Sequence, residues 1–346
     1  SPSQMLELFL YLIPKLDDVN GKKLGKHRRK HKLIDEYILY KERTKLANAY
    51  GTKFFNYTNS DGRVHTNFSQ ILDTGRVSSS KPNMQQIPSD NTFRNCFVAP
   101  SGWVFVSSDY ASQELNVIAY GSKDPVWLEA LRNGADLHGV CADLVFEQRW
   151  RDADADLRKT LRTTIKTINF GLAYGMGPFK LADTLNVTKK EAEELIEKYF
   201  SAFPNIKEFL EKLGRFGKRN GYITTFPPFK RRRWFDTWYP KIWNDRSMMS
   251  ELGSIERASK NTPIQGSSAD MTKLALIYMY DEIQANYKDD VKIVMTVHDQ
   301  IDTICKREIA DEWAIVMTQL MEKAAMKIVT NGLLKADTNI SETWEK

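Results

Sequence analysis

Cysteine is scarce in this chain: Cys96, Cys141 and Cys305 are its three, at unrelated spacings. That leaves neither a disulfide framework nor a cysteine-based zinc site, and a reducing compartment is the simplest inference. Long apolar runs are missing as well. None approaches the roughly 18 consecutive apolar residues that a membrane span requires. Residues 6–13 are apolar but too few, and no basic segment precedes them, which excludes a secretory signal there. Internal repeats and low-complexity tracts are absent. A strong excess of one charge is lacking too: 50 basic against 44 acidic residues leave a net +6, in itself a weak pointer to a polyanionic partner. The distribution is more telling. Residues 22–32 read Lys-Lys-Leu-Gly-Lys-His-Arg-Arg-Lys-His-Lys, and residues 230–233 form a second basic cluster. Such runs are ordinarily solvated segments.

What is present is a globular composition. The 346 residues, 42% hydrophobic and 11% aromatic, suffice for two or three packed lobes. Residues 1–50 read as helical, interrupted at Asn20-Gly21 and by the basic run, with Ile34, Tyr37, Ile38 and Leu46 at helical spacing. Residues 51–100 are rich in turn residues. A β-type segment at 103–109 leads into a short helix from about residue 112. Residues 129–255 read as mostly helical, broken at Gly175, Pro204, Gly221 and Pro227-Pro228. Helices are expected at 191–200, 269–287 and 309–330, and two strands folded at His298-Asp299 within 291–305. A strand, a long helical excursion and a returning hairpin make an α+β layout.

The densest information lies in residues 162–175. Arg162, Lys166, Phe170 and Tyr174 follow one another at intervals of four. On an α-helix each such step turns only about 40° past a full circle. Two cations, a ring and a phenol therefore climb one side of one helix. Cations in a row suit a polyphosphate laid alongside, and a ring beyond them suits a sugar and base. Any one pair reads equally as solvated stripe or core. The full pattern, with Gly171 and Gly175 where a helix former is preferred, resembles the nucleotide-binding helix of the family A DNA polymerases, Arg-x3-Lys-x3-Phe/Tyr-Gly-x2-Tyr-Gly. Every fixed position is present.

Nucleotidyl transfer to a 3′-hydroxyl uses two Mg²⁺ ions about 3.5–4 Å apart, which carboxylates bridge well. Asp109 stands at the end of the 103–109 strand and Asp299 at the tip of the hairpin. Either alone reads as turn chemistry. Their contexts, Ser108-Asp-Tyr-Ala-Ser-Gln-Glu-Leu115 and Val297-His-Asp-Gln300, resemble the family's Asp-Tyr-Ser-Gln-Ile-Glu-Leu and Val-His-Asp-Glu motifs. The resemblance implies that Asp109 and Asp299 bridge two Mg²⁺ (Mn²⁺ a possible substitute), with the Tyr110 carbonyl as a further ligand. Two departures stand out. Gln300 replaces the family's third acid, and Asp302, on the same strand face, is a candidate to compensate. Asn116 replaces the usual Arg and gains no functional reading from the sequence.

The resemblance assigns further roles. Arg162 and Lys166 hold the β- and γ-phosphates, with Lys166 also placed to protonate the leaving pyrophosphate; His138 contacts the same phosphates. Glu114 closes the space beside the sugar C2′ and packs with Tyr174, which excludes ribonucleotides. Phe170, where some members carry Tyr, implies poor use of dideoxynucleotides. Residues 74–88 resemble the family's Thr-Gly-Arg-Leu-Ser-Ser-x2-Pro-Asn-Leu-Gln-Asn-Ile-Pro signature, which puts Arg76, Asn83 and Gln86 at primer and template. One Arg in the minor groove can test pair geometry without reading sequence, because the acceptors there are nearly the same for every correct pair. Arg257, Asn261 and Gln265, spaced by four, are implied to face the same duplex, and His298 to lie near the primer terminus. Beside these motifs the 22–32 run becomes a candidate backbone contact, salt-sensitive in its binding.

The motifs occur in family order from about residue 33 onward. The implied architecture is a polymerase right hand: a partial, truncated helical thumb (1–50), an antiparallel-sheet palm (51–128 and 256–346) and helical fingers (129–255). The expected partners are primer–template DNA and dNTPs, with no membrane and a cytoplasmic location in a bacterial or phage-infected cell. The thumb segment is shorter than the family's, no proofreading exonuclease fits before it, and a processivity or exonuclease partner stays unspecified. Two alternatives remain open. A single-subunit RNA polymerase shares the palm, but Glu114 and Phe-Gly-x2-Tyr-Gly argue against it. A catalytically impaired primer–template-binding module would account for Gln300 and the short thumb.

Overall fold

The computed structural model describes residues 1–25, 27–28, 30–88 and 91–345. Lys26 and Arg29 of the basic run lie outside the described residues. The chain forms two compact units, Ser1–Asn67 with Ser79–Ile87, and Phe68–Ser78 with Pro88–Lys346.

In the first unit, α1 (Pro2–Leu10) opens with a capping box. The Ser1 hydroxyl accepts from the Gln4 amide at 3.4 Å, and the Gln4 side-chain oxygen accepts from the Ser1 amine at 2.8 Å. α2 (Lys32–Tyr50) begins where the His31 ring accepts from the Leu33 amide at 3.2 Å. Its buried residues are Ile34 and Ile38, which join Phe9, Leu16, Val19 and Leu24 in a small core. Arg28 pairs with Glu42 at 2.7 Å and Lys23 with Asp17, so acids of the same unit already match part of the basic run.

The second unit contains β1 (Trp103–Tyr110), α3 (Gln113–Ser122), α4 (Leu137–Phe146), α5 (Ala155–Ala173), α6 (Lys189–Ala202), α7 (Pro204–Asn220), β2 (Tyr222–Thr224), β3 (Arg232–Trp234), α8 (Met249–Asn286), β4 (Val291–Val297), β5 (Gln300–Lys306), α9 (Ala310–Met326) and β6 (Ala336–Ser341). Strands β4, β5, β1 and β6 form one antiparallel sheet in that order. β1 and β5 are central and buried on both faces, and they enclose polar side chains (Ser107, Ser108, Gln300, Asp302, Thr303) beside the apolar ones. α9 packs on β1 and β6 through Trp313, Met317 and Met321. Each such buried side chain contributes about 1.5–3 kcal/mol. Polar groups add register: the Trp313 indole donates to Thr303 Oγ1 at 2.8 Å, and Thr303 donates to the Val106 carbonyl at 3.0 Å, tying α9, β5 and β1 together.

The structure departs from the sequence reading in two places. The 129–255 region, read as mostly helical, includes the β2–β3 hairpin, with Pro227-Pro228 between its strands. β6 was not anticipated; it is a polar edge strand whose composition carries no apolar alternation. α8 is one 38-residue helix with Pro263 inside it.

Candidate active site

β1 and β5 pair with Asp109 opposite Gln300, and Ser107 opposite Asp302. The Val297–Gln300 pair leaves only His298 and Asp299 in the turn from β4 to β5. His298 takes φ +59°, the left-handed conformation that such a two-residue turn requires. This puts Asp299 one residue from the cross-strand partner of Asp109. Both carboxylates are half-buried. The Tyr110 hydroxyl donates to the Met321 carbonyl at 2.8 Å, and its pKa is pushed well up, first by burial and then by the charges of Asp299 and Glu322. Among the described residues no group of three or more His, Cys, Asp and Glu is close enough to hold a metal ion. Asp109 and Asp299 thus stand at these strand ends on either side of Gln300 in the register. Asp302 does share a face with Gln300; it is fully buried, and its Oδ1 accepts from the Gln300 side-chain amide.

α5 starts at Asp154, whose carboxylate accepts from the Leu157 amide at 2.8 Å. Leu161, Ile165, Ile168 and Leu172 bury one face. That leaves Arg162 and Lys166 exposed, with Phe170 and Tyr174 half-buried beyond them. Arg162 makes a two-pronged ion pair to Asp136, at 2.6 and 2.9 Å. His138 on α4 is buried, 5.9 Å from the Phe170 ring, with Nδ1 2.9 Å from the Asn169 amide nitrogen. Burial lowers its pKa, and the Arg162 charge lowers it further. The imidazole is thus neutral near pH 7. With Nδ1 accepting from Asn169, its proton sits on Nε2, which makes the ring a donor on its other side.

Glu114 on α3 is the meeting point of three segments. Arg76 donates to one of its oxygens and the Tyr174 hydroxyl to the other. Burial, then Glu114, raises the Tyr174 pKa, while the neighbouring Gln265 of α8 lowers it. Gly175, directly after, has φ +72°, and a Cβ there would lie 2.8 Å from Arg257 Cγ and 3.0 Å from its Cα. Only glycine fits. Gly175→Ala is expected to lower unfolding free energy by about 1–3 kcal/mol; an unchanged urea midpoint would contradict this packing.

Several of these partners were not legible in the sequence. Arg231, read only as part of a basic cluster, donates to Asp270 at 3.0 Å, to the Thr74 carbonyl at 2.6 Å and to the Gly266 carbonyl at 3.4 Å. It lies against Gly75 (φ +78°), where a Cβ would sit 2.5 Å from its guanidinium. Arg231 thereby fixes the turn that presents Arg76. Asn116 donates to the Ala111 and Ser112 carbonyls, at 3.1 and 3.3 Å, and secures the turn between β1 and α3. Asp136 and Asn169 also escaped notice. Arg257 is exposed, and Asn261 and Gln265 are half-buried along the same helix. Asn83 and Gln86 belong to the other compact unit. There Asn83 accepts from the Gln85 amide at 3.1 Å, and the Gln86 carbonyl accepts from the Tyr50 hydroxyl at 2.6 Å.

An antiparallel sheet with paired acids at its strand ends, set in one unit with a helix bearing cations and rings, defines the polymerase-domain version of the α+β class. A solved structure described as the POL domain of Pol1 from M. smegmatis in complex with DNA primer-template and dNTP is similar over 99% of this chain and 60% of that one, with TM-score 0.85 and 27% identity. The chain belongs to DNA polymerase family A, whose model matches residues 15–346. Among curated relatives, DNA polymerase I of Geobacillus stearothermophilus is 32% identical over 93% of this chain, that of Caldicellulosiruptor bescii 34% over 91%, and the thermostable DNA polymerase I of Thermus aquaticus 31% over 92%. The chain spans 35%, 36% and 37% of their respective lengths.

Proposed function

We propose that this chain is a template-directed DNA polymerase core that adds dNTPs to a primer 3′-hydroxyl with release of pyrophosphate. The observation that carries this reading is that one compact unit contains the Asp109–Asp299 pair, the Arg162–Lys166–Phe170–Tyr174 face and the Glu114 lock. In this reading residues 1–50 serve as thumb, 51–128 and 256–346 as palm, and 129–255 as fingers. The partners are primer–template DNA and dNTPs, and the location is cytoplasmic. Among the described residues no helix is long and apolar enough to cross a membrane.

Hard oxygen donors on adjacent strand ends fit Mg²⁺ or Mn²⁺. Asp109 and Asp299 would hold the ions, with the Tyr110 carbonyl beside them. Two such ions, when bound, lower the pKa of the attacking hydroxyl and neutralise the triphosphate. The remaining work falls to side chains. Arg162, oriented by Asp136, exchanges that carboxylate for phosphate oxygens in the same two-pronged geometry. Lys166 adds a second cation and a proton for the departing pyrophosphate, and His138 donates through Nε2. Phe170 and Tyr174 offer ring surface to sugar and base. Arg76, Arg257, Asn261, Gln265 and His298, with Asn83 and Gln86, are assigned to the duplex.

The replacement of the third acid by Gln300 favours a second reading, a binding module with impaired catalysis. Primer extension with Mg²⁺, comparing dNTPs with NTPs, separates the two. Extension by dNTPs alone is expected. Tight primer–template binding without extension would support the module.

A further inference from the structure

Gln300 and Asp302 sit two residues apart on one face of β5, opposite Asp109 and Ser107. Both are buried, Asp302 completely. The Gln300 side-chain amide donates to Asp302 Oδ1 at 2.5 Å. Burial pushes the Asp302 carboxyl up to about 6, and Ser107, Gln300 and the Trp344 indole, which face it, offset that only in part; neither Ser107 nor Trp344 makes a well-aligned hydrogen bond to it. Arg94, 4% exposed, lies over the Trp344 ring at 4.5 Å, and its charge acts on both Asp302 and Asp109. Its Nε and Nη1 have no hydrogen-bond partner; burial lowers its proton affinity, and the charges of Asp302 and Asp109 offset that in part.

A carboxylate only accepts hydrogen bonds, so an amide beside it must present its NH₂ group and turn its oxygen the other way. Resting on the polymerase reading, we propose that Asp302 is a positioning residue: it locks the flip of Gln300 so that position 300 offers the divalent-cation site an oxygen and not a pair of N–H donors. The negative charge that the family's motif carries at position 300 is displaced two residues along β5, with Arg94 as its buried counter-ion. Gln300 and Asp302 act as one unit, and Asp302 itself touches no ion.

The test is Mn²⁺ binding to the full chain, followed by calorimetry and electron paramagnetic resonance, with a thermal melt of each variant. Asp302→Asn keeps the shape, but its amide can both donate to and accept from Gln300, so the lock is lost. It is expected to weaken Mn²⁺ binding about tenfold, within the range for residues that orient ligands, and to raise the Mg²⁺ requirement for extension in parallel. Adding Gln300→Glu should restore both. Should Asp302→Asn prove too unstable, Asp302→Val with Gln300→Glu keeps one carboxylate opposite Arg94 and should bind Mn²⁺ at least as tightly as wild type. Wild-type affinity in folded Asp302→Asn, or loss of binding in the folded double variant, would overturn the inference while leaving the polymerase reading intact. Wild-type protein without an Mn²⁺ site that Asp299→Ala removes would overturn both.

Discussion

Asp299→Ala is expected to lower single-turnover primer extension by about 10³–10⁴, equivalent to about 4–5.5 kcal/mol of transition-state stabilisation. The site has little redundancy. With Gln300 where a third acid would stand, losing Asp299 leaves Asp109 as the one remaining carboxylate of the proposed ion-holding pair. The fold should survive. Asp299 is half-buried in a two-residue turn, and its charge bears only on the Tyr110 phenolate, which is not formed near pH 7. The thermal midpoint should therefore hold while extension collapses. Extension within tenfold of wild type would remove Asp299 from the chemistry.

The second large effect is expected at Glu114. Its side chain occupies the space assigned to the sugar C2′ and holds both Arg76 and Tyr174. Glu114→Ala opens that space and frees both partners, so the ratio of ribonucleotide to deoxyribonucleotide incorporation should rise by about 10². Arg76 loses a nearly buried partner, Glu114 being 9% exposed in its side chain, and should cost about 1–3 kcal/mol of stability. Glu114→Gln separates the two consequences: it fills the same volume, so selectivity should persist while the ion pair is lost. An unchanged incorporation ratio in Glu114→Ala, measured by competitive extension, would show that the sugar is screened elsewhere.

Much of the site was readable because it is local. Intervals of four within residues 162–174 dictate one helix face whatever lies around it, and α5 carries those residues as that periodicity requires. The hairpin turn at His298-Asp299 was visible from flanking β-type residues, and the breaks at Pro204 and Gly221 from backbone chemistry. The β2–β3 hairpin was missed because Pro227-Pro228 read as interruption instead of reversal. β6 was missed because Ala336–Ser341 is held by its place beside β1, not by its own composition.

The order of motifs, the helix face and the two strand-end acids thus follow from sequence alone, since each rests on spacing within a few residues. What Asn116, Arg231, Asn169 and Asp302 do was decided by the tertiary structure. Asn116 closes the turn before α3, and Arg231 gains meaning only when Thr74 and Asp270 are brought to it from 157 and 39 residues away. Asp302 meets the Gln300 amide because both lie on one buried face of β5 where it pairs with β1. Charge and hydrogen-bond capacity are written in the residue; the partner that turns them to use is set by which distant surfaces the fold excludes from water.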